Sequence, residues 1–202
     1  MMTLHTDLKQ MDRTVLENLA VEDYVHTLRP QLRTGDLLFA SGNYRFSQTI
    51  QKVTSSPWSH VGLIVLMHDR VLLLESNELV GVRLIPLSRY LHDFDDGKPY
   101  DGMVVLARRD DMNEQQAIAA VGAGVDELTR PYNHTEIVQI VYRVAKNEIR
   151  EHSEHPHAYI CSELVHYCLD RAKLPVDVDA RGFISPDNVW KHPQVALLGR
   201  IL

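Results

Sequence analysis

Residues 159–165, Tyr-Ile-Cys-Ser-Glu-Leu-Val, place a cysteine where an apolar, helix-forming run begins. The first backbone N–H groups of a helix have no partner within it, and that end of the helix dipole is positive, so the position of Cys161 favours a thiolate. The stretch Ser-His-Val-Gly at 59–62 lies about a hundred residues upstream and offers an imidazole. Together the two stretches predict a thiol nucleophile and its base, although a lone cysteine on an apolar helix face is more often a small core residue.

The composition predicts a single domain over residues 1–202. The chain is 45% hydrophobic, which is enough for one sizeable core, and no long linker divides it. Its formal net charge of −6 provides no basic surface for nucleic acid, which we therefore exclude as a partner, and membrane association is not indicated. Nothing in the pattern specifies an oligomeric state.

The N-terminus and the cysteines bear on the cellular compartment. The first residues do not combine a basic segment with an apolar one, and no run reaches the roughly 18 apolar residues of a membrane span. Cys161 and Cys168 would lie about 10 Å apart along one helix, which is too far for a disulfide. Free thiols are typical of a reducing compartment, so we expect a cytoplasmic protein.

Periodicity sets the first thirty residues apart as an N-terminal helical extension, 1–30. Apolar residues recur at steps of three and four from Leu4 through Leu8 to Leu19, which predicts an amphipathic helix that ends before Pro30. Three successive apolar runs predict an antiparallel meander. The predicted strands are 35–40, 60–66, 71–76, 81–86 and 103–108, and the predicted helices are 46–55, 113–128, 135–144, the helix that begins at the cysteine stretch and a short helix with a proline in its first turn within 184–190.

His60 is the best candidate for the base, because it begins an otherwise apolar strand beside a glycine. If strands 60–66 and 71–76 pair around a two-residue turn at 68–69, His60 lies opposite Asn77, and Glu75 becomes its diagonal neighbour on the same face. Glu75 would then orient the imidazole. A shift of one residue would turn Glu75 away and leave Ser76 or Asn77 in that role, and the sequence leaves this choice open.

Five short stretches carry a resemblance to a known family. They are His-Val-Gly at 60–62, Glu-Ser at 75–76, Pro-Tyr-Asn at 131–133, the cysteine stretch at 159–165 and Ser-Pro-Asp-Asn at 185–188. Together they resemble the YiiX-like group, which are circularly permuted papain-fold proteins of the NlpC superfamily. In that group the base and the acid precede the nucleophile along the chain, as His60, Glu75 and Cys161 do here.

The resemblance covers residues 33–190, the core of the domain, and implies an α+β fold in which an antiparallel sheet packs on helices and the nucleophile begins a helix. It implies a thiol hydrolase or acyltransferase that acts on an amide or ester. By position it assigns the nucleophile to Cys161, the base to His60 and the third polar group to Glu75. Tyr132 matches a motif often placed near the cleft, and we add Tyr159 and Ser59 as candidate substrate contacts because they flank the same site.

Three functions are compatible with these residues. The first is a cysteine hydrolase that cleaves an amide bond in a small peptide or amino-acid conjugate through an acyl-thioenzyme. The second is a lipid-directed acyltransferase or phospholipase-like enzyme at a membrane surface. The third is a binding protein that holds a small ligand or metal, with His152, His155 and His157 beside Cys161. Irregular spacing favours a solvated loop for those histidines over a metal site, so no cofactor is expected.

Overall fold

The structure is a computed structural model that describes residues 9–135, 158–179 and 182–202. The strands of the described part are β1 Leu37–Gly42, β2 His60–Met67, β3 Arg70–Asn77, β4 Gly81–Pro86, β5 Gly102–Arg109 and β6 Val195–Arg200. The helices are α1 Arg13–Asn18, α2 Arg45–Thr54, α3 Ser88–His92, α4 Glu114–Asp126, α5 Cys161–Arg171 and α6 Pro186–Lys191. A π-helical turn at Tyr24–Leu28 and a 3-10 turn at Arg29–Gln31 precede β1.

The strands form one antiparallel sheet in the order β4-β3-β2-β1-β5-β6. The β2–β3 hairpin has the predicted two-residue turn, because Met67 pairs with Arg70 and Leu63 pairs with Leu74. That register is the one that brings Glu75 to the same face as His60, since successive side chains of a strand alternate between faces.

Each face of the sheet is covered by a separate apolar layer. On one face, β1 and β2 residues such as Phe39 and Leu63 pack with the buried sides of α4, α5 and α6. On the other face, Ile64 and Leu73 pack with the turns at 24–32 and with the segment 87–100, which includes α3. The sheet is therefore buried on both sides, and β1 is buried along its whole length.

The N-terminal segment is not the single helix expected. Within residues 9–30, α1 ends at Asn18, Val21 forms a bridge with Arg200 of β6, and a separate turn follows. The physical reason is local: the side chains of Asp12 and Asp23 each accept a backbone N–H and start their own helical turn. Leu4 and Leu8 of the predicted helix lie outside the described residues.

Two elements were not predicted, namely α3 and β6. β6 pairs with β5 and lies after residue 190, outside the part of the chain that the family resemblance covers. The predicted helix at 135–144 and the histidine-rich loop at 146–157 lie outside the described residues, apart from Thr135. Every helix in the described part is too short or too polar to cross a bilayer.

Candidate active site

His60 and Glu75 meet at the end of the β2–β3 hairpin. His60 is the first residue of β2, and its Nε2 donates to Oε2 of Glu75 across 2.6 Å. The carboxylate is completely buried, whereas the imidazole remains 15% exposed. The structure thus brings together the predicted base and the acid favoured by the register.

The Glu75 carboxylate has two further partners that sequence reasoning missed. Arg83 lies directly opposite Glu75 in the β3–β4 register, and its Nε and Nη2 donate to Oε1 across 2.7 and 2.6 Å. The Tyr90 hydroxyl, from α3, donates to Oε2 across 2.6 Å. Burial alone would raise the pKa of Glu75, but His60, Arg83 and Tyr90 together lower it to about 2. Glu75 is therefore ionised at neutral pH.

Cys161 is the first residue of α5, and its thiol lies beside the His60 imidazole, close enough to affect the pKa of the ring. Nε2 of His60 is occupied by Glu75, which leaves Nδ1 as the nitrogen available to a second partner. Burial lowers the pKa of His60, but the charges on Cys161 and Glu75 and their hydrogen bonds outweigh it and raise the pKa to about 10. The imidazole therefore lies between the Cys161 sulfur and the buried Glu75 carboxylate, and both favour its protonated form.

The segment that leads into α5 is held by the strand that carries Glu75. The hydroxyl of Ser76 donates to the backbone carbonyl of Tyr159 across 2.6 Å. Tyr159 also forms a parallel bridge with Tyr132. At the helix start, the Glu163 carboxylate accepts the N–H of Ile160 across 3.0 Å. These contacts fix the position of Cys161 relative to β3.

A cleft of about 330 Å³ opens on the imidazole. Its walls are mostly aromatic and polar, and are formed by Tyr44, Phe46, Ser47, Ser59, His60, Ser76, Asn77, Glu78, Leu79, Val80, Arg83, Tyr90, Phe94, Asp95, Tyr100 and Tyr132. Cys161 is only 3% exposed, whereas the His60 side chain is 15% exposed, so the imidazole is the more accessible of the two groups.

The three predicted substrate contacts have different positions. Tyr132 and Ser59 line the cleft, but the Ser59 hydroxyl accepts the N–H of Gly42 and donates to the carbonyl of Ala40, so it is committed to the scaffold. The side chain of Tyr159 does not reach the cleft.

Tyr159 instead lies on the other side of the chain, where its ring packs against Tyr167 with centroids 5.6 Å apart and its hydroxyl bonds Glu127. The Tyr159 backbone is held by its parallel bridge to Tyr132 and by the hydroxyl of Ser76 in β3. Its side chain therefore turns the other way, toward α4 and α5. Tyr159 contributes to the site through its carbonyl.

The described part of the chain contains no group of three or more His, Cys, Asp or Glu residues placed to hold a metal ion. The histidines at 152, 155 and 157 lie outside it.

A helix-borne cysteine paired with a strand-borne histidine and a buried acid defines a papain-like cysteine hydrolase. Residues 31–197 match the model of the permuted papain-like amidase family, YaeF/YiiX, C92. The chain belongs to this family, as the resemblance implied, and it is a cysteine hydrolase of the amidase type.

Solved structures agree on the fold. The chain is similar to the metalloprotein YiiX from Escherichia coli O157:H7, with 21% sequence identity and a TM-score of 0.52. The similarity covers 84% of this chain and 98% of the YiiX chain. A search of curated proteins gives no match. The α+β, permuted papain-like fold is therefore established.

Proposed function

We propose that the protein hydrolyses the amide bond of a small peptide or amino-acid conjugate, with Cys161 as nucleophile, His60 as base and acid, and Glu75 as the group that orients His60. One observation carries the proposal: the His60 imidazole lies beside the Cys161 thiol and hydrogen-bonds the buried Glu75 carboxylate. The two free thiols support a reducing, cytoplasmic setting.

The reaction follows from this arrangement. The Cys161 thiol gives its proton to His60, and the sulfur attacks the carbonyl carbon to form a tetrahedral intermediate. The N–H groups in the first turn of α5, at the positive end of its dipole, stabilise the oxyanion. As the C–N bond breaks, His60 returns its proton to the leaving amine. Water, deprotonated by His60, then attacks the acyl-thioenzyme and releases the acid with Cys161 as thiol.

The size of the cleft supports a small substrate. A volume of about 330 Å³ lies at the lower end of the range for small-molecule sites. The walls offer aromatic faces such as Phe46 and Tyr132, and Glu78 lies on the same surface and suits an ammonium group. An amino-acid conjugate presents both an apolar part and a charged part, which this surface complements.

Alkylation by iodoacetamide tests the nucleophile without a known substrate. Cys168 is an internal control, because it is completely buried and burial raises the pKa of its thiol to about 12. We expect fast, stoichiometric labelling of Cys161 near neutral pH and almost none of Cys168. His60→Ala should slow the labelling, whereas the exposed His92→Ala should not. Equal, slow labelling of both cysteines would overturn the assignment.

An activity screen tests the substrate class. Wild-type protein and Cys161→Ser are incubated with a panel of dipeptides and N-acyl amino acids, and the released amine is measured. We expect release only by the wild type. Release at the same rate by Cys161→Ser would show that Cys161 is not the nucleophile.

A second candidate, a lipid-directed acyl hydrolase or transferase, is favoured by the rim of the cleft. Leu79 and Val80 are 85% and 58% exposed, and both line the cleft. Exposed apolar side chains at an active-site mouth suit an acyl chain or a bilayer surface. Co-sedimentation with phosphatidylcholine vesicles that is lost in Leu79→Ser but kept in Ile118→Ser, a 61% exposed residue of α4 outside the cleft, would support it. Absence of wild-type co-sedimentation would exclude it.

A further inference from the structure

Both oxygens of the Glu75 carboxylate are shared between the catalytic base and the scaffold. Oε1 receives two N–H groups of Arg83, while Oε2 receives the imidazole N–H of His60 and the hydroxyl of Tyr90, each across 2.6 Å. His60 and Tyr90 therefore compete for the charge on the same oxygen. To orient the imidazole, Glu75 needs only its contact with His60. The two contacts from Arg83 and the one from Tyr90 therefore require an explanation.

Tyr90 is held rigidly in this position. It is 2% exposed, and its ring packs against Phe94 and Tyr100, with centroids 4.7 and 5.2 Å away. Its backbone carbonyl accepts the N–H of Tyr100 across 2.8 Å. The ring also lies nearly parallel to the imidazole of His60, at 22° and 6.5 Å between centroids. The hydroxyl therefore reaches Oε2 from a fixed direction.

Resting on the proposed function, we propose that Tyr90 and Arg83 are positioning residues that limit how strongly Glu75 holds the His60 proton. His60 must take a proton from Cys161 and later give it to the leaving amine. A buried carboxylate with His60 as its only partner would stabilise the imidazolium so strongly that it would become a poor acid. Hydrogen bonds from Tyr90 and Arg83 make the carboxylate less basic and keep the proton transferable.

The titration of His60 depends on every ionisable group packed around it. Cys161 from α5, Glu75 from β3, Arg83 from β4 and Tyr90 from α3 surround the imidazole and its carboxylate, and the other ionisable groups of the cleft walls are Tyr44, Glu78, Asp95, Tyr100 and Tyr132. Removal of the Tyr90 hydroxyl alters only one of them and leaves the ring in place. Tyr90→Phe is therefore the cleanest test.

The experiment follows the imidazole of His60 by NMR with nitrogen-15 labelled histidine, assigned by comparison with His60→Gln. We expect Tyr90→Phe to raise the pH at which His60 loses its proton by about half to one pH unit, because Oε2 becomes available to the imidazole alone. The alkaline limb of the alkylation rate of Cys161 should move by the same amount. Tyr24→Phe, which removes a hydroxyl from the π-helical turn, should move neither.

Arg83→Lys provides a second variant if Tyr90→Phe folds poorly. It keeps a cation but loses the two-nitrogen contact with Oε1, so the His60 titration should again move upward. An unchanged or lowered titration in both variants would overturn the inference. If His60→Ala leaves alkylation of Cys161 unaffected, the proposed function fails first. If His60→Ala slows alkylation while Tyr90→Phe shifts nothing, only the inference fails.

Discussion

Replacing Glu75 with glutamine should remove a defined, pH-dependent part of the stability. The substitution keeps the shape of the side chain but deletes the charge and replaces one accepting oxygen with an NH2 donor. In the folded protein the pKa of Glu75 falls from 4.5 to about 2, because His60, Arg83 and Tyr90 together outweigh the burial of the carboxylate. Each pH unit is worth about 1.4 kcal/mol, so the ionised carboxylate contributes about 3 kcal/mol.

The sign of the effect is fixed by the lowered pKa. A group whose pKa is lowered on folding stabilises the protein above its unfolded-state value, here 4.5, and loses that contribution as the pH falls toward about 2. At neutral pH we therefore expect Glu75→Gln to be less stable than the wild type by about 3 kcal/mol, similar to the cost of breaking other buried ion pairs. The difference should shrink steadily between pH 4.5 and about 2.

Urea unfolding at a series of pH values measures this difference. The tryptophans Trp58 and Trp190 are 0% and 2% exposed, so their fluorescence reports loss of the core. Glu17→Gln is the control, because Glu17 pairs with Arg13 on the surface and is 54% exposed. Its free energy of unfolding should stay within about 0.5 kcal/mol of the wild type. Parallel wild-type and Glu75→Gln curves from neutral to acid pH would refute the reasoning.

Two further substitutions test the geometry around the site. Ser76→Ala removes the hydrogen bond to the Tyr159 carbonyl and should cost about 1 kcal/mol in urea unfolding and slow alkylation of Cys161, whereas the exposed Thr49→Ala should change neither. An unaltered alkylation rate in Ser76→Ala would show that this contact does not position the cysteine. Gly81→Ala should lower the free energy of unfolding by about 3 kcal/mol, because Gly81 has φ +77° and its new Cβ would overlap the Arg130 carbonyl. Gly97→Ala has φ +75° and open space around the Cβ, so it should cost only about 1 kcal/mol, and equal losses in the two glycine variants would contradict the overlap.

The β2–β3 hairpin was predictable because its two constraints are local. The turn at 68–69 sets the register, and the alternation of side chains sets the face, so the pairing of Leu63 with Leu74 follows from the sequence. The same two facts place Glu75 beside His60. Recognising Cys161 likewise needed only its position at the start of a helix and the motif around it.

The partners of Glu75 were harder to predict for different reasons. Arg83 was within reach, since it lies on a predicted strand and faces Glu75 once the loop at 78–80 is given its true length. Tyr90 gives no such signal, because α3 is a short helix that reaches Glu75 through tertiary packing against Phe94 and Tyr100.

The N-terminal segment shows the opposite failure. A helical spacing of apolar residues was present, but Asp12 and Asp23 each capped a short turn, and the bridge between Val21 and Arg200 drew the chain between them into extended structure. Pairing with β6 could not be foreseen, because β6 itself was not predicted. The helical spacing of the apolar residues was thus overridden by the contact of Val21 with Arg200, which lies far away in the sequence.

The base His60 and the nucleophile Cys161 are both positioned by residues of β3, so their order along the chain does not matter to the chemistry. Glu75 and Ser76 are consecutive, so they point to opposite faces of β3. Glu75 holds His60 on the side of the sheet that α3 covers. Ser76 holds the Tyr159 carbonyl, two residues before Cys161, on the side that α5 covers. The spacing between imidazole and thiol is therefore set by one strand. Any permutation of the chain that keeps this strand and its two contacts keeps the site.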